Sequence, residues 1–249
     1  KIETHYIDPI RSLVDDMFAD FKARTGKSVA DIVSGLDWKA YRANALEIDP
    51  INEEQRLRRQ ITEVESLVGE TLTGQSVLLG AFTAMDGYAR FHKGSHCVYL
   101  GVDESHNNPG YLDILVSHEL THVAREAIPT VWENWKLNPK MTHDELAATM
   151  PVLEHLFGEG LSCVVSELLH PELEPHLYVY QTAENFAKIA KHANAIDQRV
   201  HQAISNPNFH YAELYNFKLY TTPEIMPQYA HYTWAWLWVR HLLTDVTRG

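Results

Sequence analysis

The sequence predicts an α+β protein, mainly helical, with one small sheet placed just before a buried helix. Three features predict it. Apolar residues recur at helical spacing over most of the chain. Short apolar and aromatic runs, punctuated by turn pairs, are confined to residues 75–102. The stretch holding Leu112, Ile114, Leu115, Val116, Leu120, Val123 and Ala124 is apolar round most of a helical cylinder, which marks burial on nearly all sides.

The elements follow in order. Asp8-Pro9 is an N-cap with Pro at the first helical position. Ile10, Leu13, Val14, Met17, Phe18 and Phe21 then form a stripe that Gly26 stops, as expected of a helix packed on the core. A weaker helix is expected over Ser28 to Val33. Asp49-Pro50 repeats the start signal, Leu57, Ile61, Val64 and Leu67 carry the stripe, and Gly69 closes it. The charges Glu53, Glu54, Arg56, Arg58 and Arg59 read as a solvated face of mixed sign. Ser76–Phe82, Tyr88–Phe91 and His96–Val102 read as three strands, with turns at Asp86-Gly87 and Lys93-Gly94. The loop from Asp103 to Gly110 lacks the spacing of a calcium loop. Beyond the buried helix, Trp132 and Trp135 can line a groove or pin a loop. Thr142 to Glu145 is a capping box, and Pro151 breaks or restarts its helix. A helix over Glu159 to Leu169, a long stripe from Phe186 to Ile204, a helix over Phe209 to Tyr220 and an aromatic last helix from Tyr229 complete the chain. The expected organisation is an N-terminal lobe over residues 1–127 and a helical C-terminal lobe over 128–249. Together they form one catalytic unit with its cleft between the lobes.

Composition narrows the function. The chain of 249 residues is 45% hydrophobic and 22% charged, an ordinary globular balance. A net charge of −12 argues against nucleic acid, which needs a basic footprint. No apolar run spans a bilayer; the longest, Tyr229 to Val239, is too short and meets Arg240 and His241. The chain begins at Lys1 rather than Met, which suggests a removed leader and leaves the compartment open, extracytoplasmic included. Cys97 and Cys163 form no metal knuckle, and free packed thiols are favoured over a bridge.

The buried helix contains His118-Glu119-Leu120-Thr121-His122, the pattern H-E-x-x-H. Positions i and i+4 share one helix face, so both imidazoles can aim at one ion about 2 Å away. Glu119, about 100° further round, stands beside the ion as a base for its water. With 15 His in the chain a chance match is conceivable, but two His and a Glu on a buried helix are costly unless something pairs them. A zinc site needs a third protein ligand. Glu159 is the candidate, at the expected start of an apolar helix, with Gly158 and Gly160 allowing close backbone approach. The bland reading of Glu159 is a carboxylate favoured by the helix dipole. Glu145, Glu154, His143 and His155 compete for the ligand role.

His118-Glu119-x-x-His122 followed by Gly158-Glu159-Gly160-Leu161-Ser162 resembles the gluzincin metallopeptidases, the thermolysin-like clan. It most resembles a small bacterial group regarded as zinc-dependent proteases with a downstream E-G-L motif. The resemblance covers about residues 95–245 and rests on two short motifs. It implies a zincin-like fold, one zinc ion held by His118, His122 and Glu159, Glu119 as general base, and a peptide or protein substrate. It also maps a C-terminal Gly-Tyr helix onto His231-Tyr232, which makes Tyr232, or His231, the donor to the oxyanion. It further implies that the strand His96–Val102 pairs with extended substrate. The chain departs from the pattern at Cys163, where an Asp would orient a ligand His, and at His231, where the group has Gly. A hydrolase of non-peptide substrates and a non-catalytic zinc-containing binder are the alternatives. The oligomeric state is not legible.

Overall fold

A computed structural model describes residues 26–82, 86–92, 95–105, 110–134, 149–216 and 226–248, with the single positions Arg11, Phe18, Lys22, Met141 and Glu145. Most of the expected first helix, Trp135, and Thr142, His143 and Asp144 lie outside the described residues.

The N-terminal half follows its start and stop signals closely. Helix α1, Val29–Gly35, is started by a Ser28–Asp31 capping box. Helix α2, Trp38–Glu47, was not expected from the sequence. It buries no residue and starts because the Asp37 carboxylate accepts the Lys39 and Ala40 amides, a local bond that leaves no apolar stripe. Helix α3, Pro50–Val68, has Asp49 as N-cap and ends at Gly69 with φ +74°, as the Asp-Pro and Gly signals required. Arg56 departs from the solvated face: it makes a bidentate pair with Asp113, which Gln60 also bonds, and so clasps α3 to the buried helix.

The strands are β1, Gly74–Leu79, β2, Gly87–His92, and β3, Ser95–Gly101. Their order is β1-β3-β2, with β1 parallel and β2 antiparallel to β3. The last strand is therefore the central one. Both of its edges are paired, so it cannot take up an extended substrate as the resemblance implied; β2 is the edge strand beside the buried helix. Strand order was not legible because β1 and β2 are separate partners of a later strand.

After the short α4, Val102–Ser105, comes the buried helix α5, Tyr111–Glu126. It packs on β2, β3 and α3 through Leu112, Leu115, Val116, Leu120 and Val123, with Val98, Leu100, Leu57 and Val64 opposite. Helix α6 is Pro129–Asn134. Helix α7, Val152–Leu169, starts after Pro151, so Glu159 lies inside the helix and not at its start. The dipole reading of Glu159 therefore falls away. Helices α8, Pro175–Tyr178, α9, Ala183–Lys191, and α10, Ala193–Ser205, follow; the long stripe is split at His192. A 3-10 turn, Tyr211–Asn216, covers part of the segment expected as helix over 209–220. Helix α11, Ala230–Arg248, packs across α7. An ideal Cβ at Gly160 would lie 2.4 Å from the Ala235 carbonyl oxygen, so the close approach expected of Gly160 is real. Gly158 meets only ordinary contacts. The result is an α+β architecture, mainly helical. No helix among the described residues is long and apolar enough to cross a membrane. Cys97 and Cys163 are buried and free.

Candidate metal centre

Helices α5 and α7 run antiparallel and meet residue by residue. The Ser117 hydroxyl donates to the Ser166 oxygen at 2.8 Å at one end, and Arg125 pairs with Glu154 at the other. Between them lie His118, His122 and Glu159. His118 Nε2 is 3.0 Å from Glu159 Oε2, His122 Nε2 is 3.4 Å from the same oxygen, and the two Nε2 atoms are 3.2 Å apart. A tetrahedral ion with bonds of about 2.0–2.1 Å sets its ligand atoms about 3.3 Å from one another. The triangle fits that requirement, and this buried group could hold a metal ion.

The three side chains differ in access. His118 is 3% exposed, Glu159 9% and His122 20%, so the group opens towards His122. Two of the three are supported from behind. The Cys163 thiol lies 4.0 Å from His118 Nδ1, one turn along α7 from Glu159, in the place where the resembled family has an Asp. The His155 ring, one turn before Glu159, sets Nδ1 3.7 Å from Oε1 and stacks on Tyr211 at 4.1 Å. The spacing His155-Glu159-Cys163 thus puts a ligand and two supporting groups on one helix face. His155 is near the group without joining the triangle, and Glu154 is committed to Arg125. Of the competing ligands, Glu145 is exposed and His143 lies outside the described residues.

Protonation follows from burial and charge. Burial pushes the His118 pKa down, against its bond to Glu159. Burial would also lower His122, but the Glu159 carboxylate outweighs it and raises His122 to about 9. Burial would raise Glu159, but the His122 charge and the bonds from both imidazoles hold it well below the usual carboxylate range. The metal-free group is therefore a neutral His118 beside an imidazolium–carboxylate pair.

Glu119 is buried next to this group. Its carboxylate rests on β2, where an ideal Cβ at Gly87 would lie 2.7 Å from Oε1, so a larger residue there would push the carboxylate aside. The Ala89 amide donates to it, so that N–H faces the site and not β3. Burial raises the Glu119 pKa to about 7, partly offset by His122.

Tyrosines close the other side. The Tyr232 ring lies flat against His118, with centroids 5.9 Å apart and planes 9° apart, and its hydroxyl is 3.1 Å from that of Tyr215. His231 is fully buried between His155, Tyr215 and Tyr232, and burial lowers its pKa to about 3. Tyr180, which sequence reasoning missed, stands edge-on to the His118 ring at 5.2 Å. A cavity of about 300 Å³ lies between Arg125, Val131, Leu153, Phe157 and Trp238, and none of the three triangle residues lines it.

No family model, curated protein or solved structure matches this chain. The fold and the side chains are what carry a functional reading.

Proposed function

We propose that this chain is a zinc-dependent peptidase that cleaves a peptide bond with an activated water and Glu119 as general base. The observation that carries the reading is the pairing of two features. One is a buried N,N,O triangle of the size a tetrahedral ion requires; the other is a second buried carboxylate that takes no part in it. Two histidines and one glutamate suit zinc. A bound zinc would lower the pKa of a water towards about 7 and polarise a carbonyl.

The chain's own residues do the rest. His118, His122 and Glu159 would hold the ion. A Glu119 poised near neutrality can accept a proton from water and return it. The water oxygen bonds to the carbonyl carbon, the carbon–nitrogen bond breaks, and the proton held on the Glu119 carboxylate passes to the leaving amine. β2, an outer strand of the sheet beside the site, is the strand to which an extended peptide would add. Tyr232 remains a donor candidate by resemblance, and its stacking also braces the His118 ring.

The test is metal analysis of the purified protein, joined to digestion of a broad peptide mixture by the parent and by Glu119→Gln. One zinc per chain is expected in both, with cleavage reduced by about 10²–10⁴ in the variant. Equal cleavage by the two would remove Glu119 from the mechanism. Bound zinc without cleavage by either would favour the non-catalytic binder.

A further inference from the structure

Tyr180 is held in a disfavoured backbone conformation, and its hydroxyl is sealed from solvent without a partner. Its φ is +55°, in the left-handed region that disfavours a non-glycine residue. The turn is imposed from both sides. The Tyr180 amide donates to the Leu177 carbonyl at 3.0 Å and the Gln181 amide to that of His176 at 2.9 Å. The Gln181 side chain donates to the Gln228 carbonyl at 2.6 Å, next to Tyr229, whose φ is +63°. Two left-handed tyrosine turns are therefore tied together across the site. The Tyr180 ring lies between Tyr111, His118 and Tyr232, at 5.8, 5.2 and 6.1 Å. Its buried phenolic oxygen meets no hydrogen-bond partner. Buried polar atoms are normally paired, and each exception invites an explanation. Here the strain and the orphaned hydroxyl fall on one residue, at the wall of the metal-binding triangle.

We propose that Tyr180 is the donor that meets the substrate's carbonyl oxygen as that oxygen becomes an oxyanion. The inference rests on the peptidase reading. As the water oxygen bonds to the carbonyl carbon, the carbonyl π electrons move onto oxygen, and the Tyr180 O–H hydrogen-bonds to it without giving up its proton. When the carbon–nitrogen bond breaks, the electrons return and the bond to Tyr180 weakens. Tyr232, by contrast, has its hydroxyl engaged with Tyr215.

The experiment compares zinc-loaded parent, Tyr180→Phe and Tyr232→Phe. Loss of the Tyr180 hydroxyl should lower kcat by about 10²–10³ while leaving KM within about threefold, the signature of an interaction made in the transition state. Zinc content and thermal midpoint should not fall. A phosphonate peptide analogue, which carries a tetrahedral anionic oxygen, should bind Tyr180→Phe more weakly by a comparable factor. An ordinary peptide should bind Glu119→Gln and Glu119→Gln/Tyr180→Phe alike. Ring-fluorinated tyrosine at position 180 keeps the shape and makes the phenol a stronger donor, so it should retain activity. Phosphonate binding that ignores the Tyr180 hydroxyl would overturn the proposal, whether or not peptides are cleaved. A parent that cleaves nothing, with phosphonate binding still dependent on Tyr180, would sink the peptidase reading and leave Tyr180 as an oxyanion donor.

Discussion

His122 carries the proton that a cation would displace. In the metal-free protein its pKa is raised to about 9 by Glu159, against the pull of burial, while His118 is neutral. A metal ligand must be deprotonated, so ion uptake should release about one proton more at pH 7.5 than well above pH 9, where His122 is already neutral, beyond the proton that a zinc-bound water gives up at both. Calorimetric titration with zinc in buffers of different ionisation enthalpy reads that number directly. An equal release at both pH values would place the ion elsewhere. The raised His122 also stabilises the metal-free fold. Its contribution is complete below the ordinary histidine pKa and is lost as pH rises through about 9. At this scale the sequence was informative where chemistry is local. H-E-x-x-H needs only a helix, and Glu159 could be singled out because a carboxylate inside an apolar stripe asks for a partner. Tyr180 gave no signal. Its left-handed φ is braced by a bond from its neighbour Gln181 to Gln228, 47 positions away, and its ring is enclosed by Tyr111, His118 and Tyr232, all distant in sequence.

Between elements, the site depends on how closely α7 approaches its two neighbours. Gly160 lets the α11 backbone come within what would be a clash for any side chain. Gly160→Ala should therefore destabilise by about 1–3 kcal/mol or more through overpacking, although alanine is the better helix former. Gly158→Ala, which meets only side-chain contacts at 3.6 Å and beyond, should be close to neutral in chemical denaturation. An equal loss in both would mean that α7 shifts freely against α11. The boundaries that capping chemistry controls, at Asp49 and Gly69, were readable in the sequence because each depends on nearest neighbours, whereas the start of α7 after Pro151, which has no side-chain cap, was read seven residues late at Glu159. The order β1-β3-β2 and the break at His192 were not, because they follow from contacts between distant segments.

Over the whole chain, the triangle joins two bodies of core. α5 belongs to the cluster built with the sheet and α3, and α7 to the cluster built with α10 and α11. Without an ion, their shared seam at this point holds the imidazolium–carboxylate pair, a buried pair whose attraction must offset its own desolvation. An ion coordinated by both helices would bind only when the seam is closed, so it should stabilise the fold by mass action. Free zinc at 100 times its dissociation constant should add about 2.7 kcal/mol, or a rise in thermal midpoint of roughly 5–10 °C for a chain of this size. The rise should shrink at pH 6, where protons compete for His122, and should vanish with a chelator. Glu159→Gln is the decisive control, because it removes the α7 ligand while conserving shape. If its midpoint still rises with zinc as the parent's does, the ion is held by other histidines and the seam is not a metal centre.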